Sequence, residues 1–130
     1  MVNTKQKGQR KELLCAKELQ KDGYFIAFRS FTVKRGPCFV GVDFADTFDV
    51  VALRPQQDIN GHISKLAEWR FISCSFASHR AEKIAAVKRF KELYGLLEND
   101  YEVWVWTPAR WRGRGDKKHF EQARWEKIVV

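Results

Sequence analysis

Apolar residues near the start of the chain return at helical spacing, with Leu13, Ala16 and Leu19 on one stripe and Leu14 beside them. Lys5, Lys7, Arg10, Lys11 and Lys17 fill the other positions, and Asp22-Gly23 supplies the stop, which predicts a helix over 5–21. The pattern then changes. Tyr24 to Ser30 is aromatic and β-branched and predicts a strand, whereas 31–46, with Gly36-Pro37 and Gly41, predicts a loop. Phe48 to Leu53 predicts a second strand and Trp69 to Phe76 a third, antiparallel to it across a turn over 55–64 that contains Asn60-Gly61. Ser78 is placed to cap a helix that runs to Tyr94 and buries Ile84, Val87, Phe90 and Tyr94, with Gly95 ending it. Tyr101 to Thr107 predicts a fourth strand closed by Pro108. Val103 and Val105 share one of its faces, Trp104 and Trp106 the other, so both faces are apolar and the strand is expected to be central in a sheet or covered by a partner. A basic loop over 109–119 and an edge strand over 125–130 complete the order: helix, three strands, helix, strand, strand.

That order predicts an α/β fold, a sandwich with a mixed central sheet flanked by helices. With 130 residues, no repeat and no composition break, 1–130 is expected to be one domain. A chain of this length can bury about two-thirds of its unfolded surface and needs no metal or disulfide to fold. The net charge is +8, with 24 Lys and Arg against 16 Asp and Glu, and such a surface attracts polyanions. Nucleic acid is the expected partner. The chain has no long apolar run for a membrane and no apolar segment after Met1 of the secretory kind. Cys15, Cys38 and Cys74 form neither a zinc pattern nor a paired framework, and reduced thiols fit an intracellular, cytoplasmic protein.

Two carboxylates stand out. Glu12 lies on the first helix, and Asp49 opens the otherwise apolar strand Phe48-Asp49-Val50-Val51-Ala52-Leu53, where Asp is disfavoured. A helix carboxylate and a strand-end carboxylate can converge on a hard cation such as Mg²⁺ or Mn²⁺, which helps water attack a phosphate.

The same residues resemble the archaeal-type Holliday junction resolvases, small members of the PD-(D/E)XK nuclease superfamily. The resemblance covers about residues 7–106. It rests on Lys7-Gly8 followed by Glu12, on Gly23, on Arg29-Ser30, and on Asp49-Val50-Val51-Ala52. It implies a restriction-endonuclease-like sandwich, a Mg²⁺-dependent endodeoxyribonuclease, a branched or duplex DNA substrate, and a homodimer matched to the two-fold symmetry of a four-way junction. The family's Glu-x-Lys motif should follow on the third strand. There the chain has Ser73-Cys74-Ser75, so that Ser73 stands for the carboxylate and Ser75 for the lysine. A hydroxyl replaces neither charge. Glu68 is on the face opposite Ser73 and Ser75 by strand alternation. Asp43 and Asp46 in the preceding loop, and Lys83, Arg80 or His79 at the second helix, are the residues that can compensate. The expected metal set is Glu12, Asp49 and Asp46, and the expected catalytic set is Glu12, Asp49 and Lys83.

The segment Arg110-Trp111-Arg112-Gly113-Arg114, followed by Lys117 and Lys118, interleaves phosphate-binding cations with an aromatic ring suited to stacking. Together with Lys7, Arg10, Arg29 and Ser30 it forms the expected DNA-binding set. Three readings follow: a junction-resolving nuclease, a catalytically inactive DNA-binding or assembly module of the same fold, and a single-stranded nucleic-acid binder using Trp111.

Overall fold

The computed structural model describes residues 4–57, 63–95 and 100–130, with side chains over 11–55, 67–95 and 101–130. Helix α1 (Thr4–Lys21) leads into strands β1 (Phe25–Arg29), β2 (Phe31–Arg35), β3 (Cys38–Val42), β4 (Val50–Gln57) and β5 (Ile63–Phe76). A 3₁₀ turn (Ala77–His79) then opens helix α2 (Arg80–Tyr94). Strands β6 (Asp100–Thr107), β7 (Arg110–Arg112), β8 (His119–Glu121) and β9 (Arg124–Val129) follow. The main sheet has the order β1-β4-β5-β6-β9. Its pairs are antiparallel except β5 and β6, which run parallel because α2 crosses between them.

The two helices cover opposite faces. Cys15 and Leu19 of α1 pack with Tyr24, Val50, Ala52, Ile72 and Trp104. Val87 of α2 packs with Phe48, Val51, Tyr101, Val103 and Val105. The fourth predicted strand, β6, is central, and its alternation of Val and Trp is divided between the two layers as the pattern requires. The α/β class and the mixed sheet are therefore as expected, and β9 is the edge strand the sequence placed at the C-terminal end.

A register shift between Ile26 and Phe28 positions the site. Ile26 pairs with Ala52 and packs on the α1 side, while Phe28 pairs with Val51 and packs on the α2 side. The extra residue, Ala27, bulges out and reverses the facing of everything after it. Arg29 consequently pairs with Val50 and shares the α1 face, which also carries Glu12.

Several local expectations are corrected. Residues 31–46 are mostly a β-hairpin, β2–β3, turned by Gly36-Pro37 with Gly36 at φ 60, a conformation open to Gly at the first position of a two-residue turn. Residues 109–119 are largely ordered as a second hairpin, β7–β8, in which Trp111 pairs with Phe120 at a ring separation of 5.4 Å. Ser78 lies inside the 3₁₀ turn, and His79 takes the cap position of α2 without a side-chain hydrogen bond. Tyr94, expected in the α2 stripe, is exposed. Both strands of the β4–β5 pair also run further than predicted, and pairing continues to Gln57 and Ile63. No helix among the described residues is long and apolar enough to cross a membrane.

Candidate metal centre

Three carboxylates meet where β1, β3 and β4 converge on α1. Glu12, Asp43 and Asp49 each offer an oxygen within 4.8 Å of the others. The chain reaches this arrangement through a tight reversal. Phe44 and Phe48 exchange backbone hydrogen bonds at 2.8 and 3.0 Å, and Ala45 and Asp46 between them adopt left-handed φ values of 52 and 53. Two non-glycine residues in that region is an uncommon local cost. It folds the segment back so that Asp43 returns beside Asp49.

Asp49 is 5% exposed and firmly held. Its backbone N–H donates to the Ile72 carbonyl, and its carbonyl accepts from Ser30 N–H at 2.7 Å. The Cys74 amide donates to Asp49 Oδ2 at 2.6 Å. The Ser30 hydroxyl donates to Asp43 Oδ1 at 2.6 Å and lies 3.2 Å from Asp49 Oδ1. One hydroxyl proton cannot fully satisfy two carboxylates. The cluster is therefore short of positive charge, a need that a proton or a cation can meet.

The electrostatics agree. Burial, and then the charge and hydrogen bond of Asp49, push the Glu12 carboxyl up to about 8, with Asp43 adding to the rise and Arg29 opposing it. Burial pushes Asp49 up to about 6; the Cys74 amide opposes, Asp43 reinforces, and the Lys83 ammonium opposes. Two carboxyls that share a hydrogen bond titrate as a pair. Close carboxylates repel until something neutralises them. The donor set is all oxygen, it carries three potential negative charges, and it sits at the edge of a buried layer. These are the features that hold a hard divalent cation, and Glu12, Asp43 and Asp49 could hold one.

The predicted site residues divide as follows. Glu12 and Asp49 come together. Asp46 does not join them: it occupies the exposed tip of the reversal, and Asp43 takes the place expected of it. Ser30, expected to touch DNA, is 7% exposed and instead orients Asp43 and Asp49. Arg29 and Lys83 both lie near enough to act on the carboxyls. His79 and Arg80 are engaged elsewhere, with Glu82 and Glu126 respectively. Glu68 binds Arg54 Nε at 2.8 Å and the Tyr24 hydroxyl at 2.8 Å. The side chains of Lys7 and Arg10 lie outside the described residues. Arg110, Arg112, Arg114, Lys117 and Lys118 are exposed on β7–β8 and its connection, with Lys118 over the Trp111 ring at 5.3 Å.

Ser73 and Ser75 do not face the cluster as motif positions would. They pair with Val103 and Val105, which belong to the α2 layer, while Ile72 and Cys74 belong to the α1 layer that Glu12 shares. Ser73 is fully buried, and its hydroxyl has no hydrogen-bond partner among the described residues. Ser75 donates to the Phe76 carbonyl at 2.8 Å. On the α1 face the strand presents the Cys74 thiol, raised first by its hydrogen bond to Cys15 and then by burial, which favours the protonated form. Asp43 was the residue that sequence reasoning weighed but did not place. The signal for it was the pair Phe44 and Phe48 bracketing a three-residue reversal.

No family model, no curated protein and no solved structure matches this chain.

Proposed function

We propose that this protein is a divalent-cation-dependent DNA-binding nuclease of the junction-resolving type, acting on branched or duplex DNA as a homodimer. The observation that carries the reading is the Glu12, Asp43 and Asp49 cluster with its proton affinities raised by burial and mutual repulsion. The net charge of +8 supplies attraction to a polyanion. The order of short motifs that resembles the resolvases supplies the substrate class.

On this reading Glu12, Asp43 and Asp49 hold Mg²⁺ or Mn²⁺ through carboxylate oxygens. When bound, the cation neutralises charge at the phosphate and makes water a stronger nucleophile. The protein's own residues do the rest. Ser30 and the Cys74 amide fix the orientation of Asp43 and Asp49. Lys83 offsets negative charge on the Asp49 side, the part that the family's motif lysine would play. Arg29, exposed on the α1 face, is placed to meet a phosphate. Asp43 supplies from a loop the carboxylate that β5 does not.

The test is cleavage of four-way junction and duplex DNA with Mg²⁺ or Mn²⁺. Asp49→Asn preserves shape and removes one charge, so it is expected to abolish cleavage and leave junction binding intact or slightly tighter. A second reading, a DNA-binding module of this fold without cleavage, is favoured by the β5 face that carries neither carboxylate nor lysine at Ile72 and Cys74. Junction binding by the wild type with no cleavage in either metal would select it. Absence of binding to any nucleic acid at low salt would reject both.

A further inference from the structure

A cleft of about 350 Å³ opens at the C-terminal ends of the parallel strands β5 and β6, and its lining includes Ser78, Trp106, Thr107, Arg110, Arg112 and Arg124. Crevices outside the carboxyl ends of parallel strands are where α/β sheets characteristically receive ligands. Three of the lining residues are arginines and none is acidic. Arg112 is held by an ion pair with Glu121 at 2.7 Å, and the nearby Glu126 is engaged by Arg80 at 3.1 Å. Arg110 and Arg124, which both line the cleft, have no ion-pair partner among the described residues. Gathering cations in one concavity raises the free energy of the unliganded protein, and an anion relieves it.

The cleft also adjoins the carboxylate cluster. Lys11, which precedes Glu12 on α1, lies 4.0 Å above the ring of Trp106 in the cleft lining. The Cys74 amide binds Asp49, and Phe76, two residues further along β5, lines the cleft. Two residues of extended strand span about 7 Å. An anionic pocket that suits a cation and a cationic pocket that suits an anion thus stand side by side on one sheet end.

We propose that this cleft is a phosphate subsite, separate from the metal centre, that takes one phosphate group of a nucleic-acid strand between Arg110 and Arg124. The guanidinium forks donate to the phosphate oxygens, and Ser78 and Thr107, which also line the cleft, carry further hydroxyl donors. The phosphate is a backbone diester or a terminal monoester. The inference rests on the proposed function for the identity of the polyanion, and it does not require cleavage.

The experiment measures binding of the full chain to a short single-stranded oligodeoxynucleotide, with and without a terminal phosphate, in EDTA, by fluorescence anisotropy. Three proteins are compared: wild type, Arg110→Gln with Arg124→Gln, and Lys34→Gln with Arg35→Gln. The last removes the same two charges from the exposed β2–β3 hairpin. Loss of two charged hydrogen-bond donors in the cleft is expected to weaken binding about tenfold or more. Loss of two charges elsewhere is expected to cost no more than about threefold, through screened attraction alone. Equal losses in the two double variants would overturn the subsite. If the terminal phosphate tightens wild-type binding and the cleft variant abolishes only that gain, the source is a monoester. If the cleft variant weakens both oligonucleotides alike, the source is a diester. Arg124→Lys keeps the charge and removes the fork, so an intermediate loss supports paired hydrogen bonding, and thermal unfolding of each variant confirms the fold. A protein that passes this test without cleaving DNA sinks the nuclease reading alone. One that cleaves DNA while the cleft variant binds as wild type sinks the subsite alone.

Discussion

The carboxylate cluster makes the stability of the metal-free protein depend on pH in an unusual direction. Glu12 and Asp49 are acids whose folded values, about 8 and about 6, lie above their ordinary values of 4.5 and 3.8. Between those limits the folded state binds more protons than the unfolded state. The stability they contribute is therefore complete below the ordinary values and is lost as pH rises through the folded ones. At full strength, a rise from 4.5 to about 8 for Glu12 corresponds to about 5 kcal/mol. Glu12 is only half-buried, so solvent screening brings the expectation to about 2 kcal/mol. In a domain of this size that is about 6–10 °C in Tm.

The assay is thermal unfolding by circular dichroism in EDTA, comparing wild type with Glu12→Gln between about pH 5 and about pH 8. Glutamine keeps a hydrogen-bonding side chain beside Asp49 and cannot ionise. Titrating groups outside the cluster contribute equally to both proteins, so the difference reports Glu12 together with the response of its partner Asp49. The wild type is expected to lose more stability than the variant as pH rises, by the amount above. Mg²⁺ should then raise Tm of the wild type more at the upper pH than at the lower, because protons compete with the cation for the same oxygens. Parallel pH profiles for the two proteins, or an equal Mg²⁺ effect in Glu12→Gln, would refute the reasoning.

Ser73→Ala removes a buried hydroxyl that has no partner among the described residues, so it is expected to be neutral or to raise stability by up to about 1 kcal/mol in urea unfolding. Glu102, 4% exposed, receives Arg70 at 2.6 and 2.7 Å and Trp104 Nε1 at 3.2 Å; Glu102→Gln leaves Arg70 without its counter-charge and should cost about 3 kcal/mol in the same assay. DNA affinity should fall with salt at a log–log slope of about −0.9 per neutralised phosphate, and Arg114→Ala with Lys117→Ala should flatten that slope without changing sequence preference. A titration of duplex DNA across salt concentrations checks it, and a salt-independent affinity would contradict the electrostatic reading.

The parts of the fold legible in the sequence were those in which a periodic pattern coincided with burial. α1 follows from a stripe with one face to fill, whereas β6 and the β4–β5 pairing follow from apolar runs that fill both layers. β2–β3 was not legible because Phe31, Phe39 and Val40 are exposed, and Gly36-Pro37 reads equally as the end of a structure or as the turn within one. The β7–β8 hairpin was hidden for a similar reason: its pairing depends on Trp111 and Phe120 meeting across strands only three residues long, inside a run of cations. Alternation reports burial, and these hairpins bury little.

The site shows a different limit. Glu12 and Asp49 stood out because a carboxylate conflicts with its local surroundings, and such a conflict is visible in one dimension. Which other carboxylate joins them is not. Asp43 and Asp46 are three residues apart in one loop, and both were compatible with the same composition. Two left-handed residues decide between them by turning the chain so that Asp43 comes back to Asp49 while Asp46 is left at the tip. The face of β5 is a second case. Aligning Ser73 and Ser75 with a charged motif assumed that they share the side of the sheet on which Glu12 lies. Register instead sets them against Val103 and Val105 under α2. A glutamate placed at Ser73 would enter the buried apolar layer under α2, at a cost of several kcal/mol, on the face away from Glu12. The position from which β5 can address the cluster is Cys74, whose amide already holds Asp49 and whose side chain packs toward Cys15. On the proposed reading, the further acidic ligand comes from the Asp43 loop and the nearby cation, Lys83, from α2. That arrangement makes Asp43→Asn as informative as Asp49→Asn: it should abolish Mg²⁺-dependent activity and flatten the pH profile of stability together, whereas Asp46→Asn should change neither.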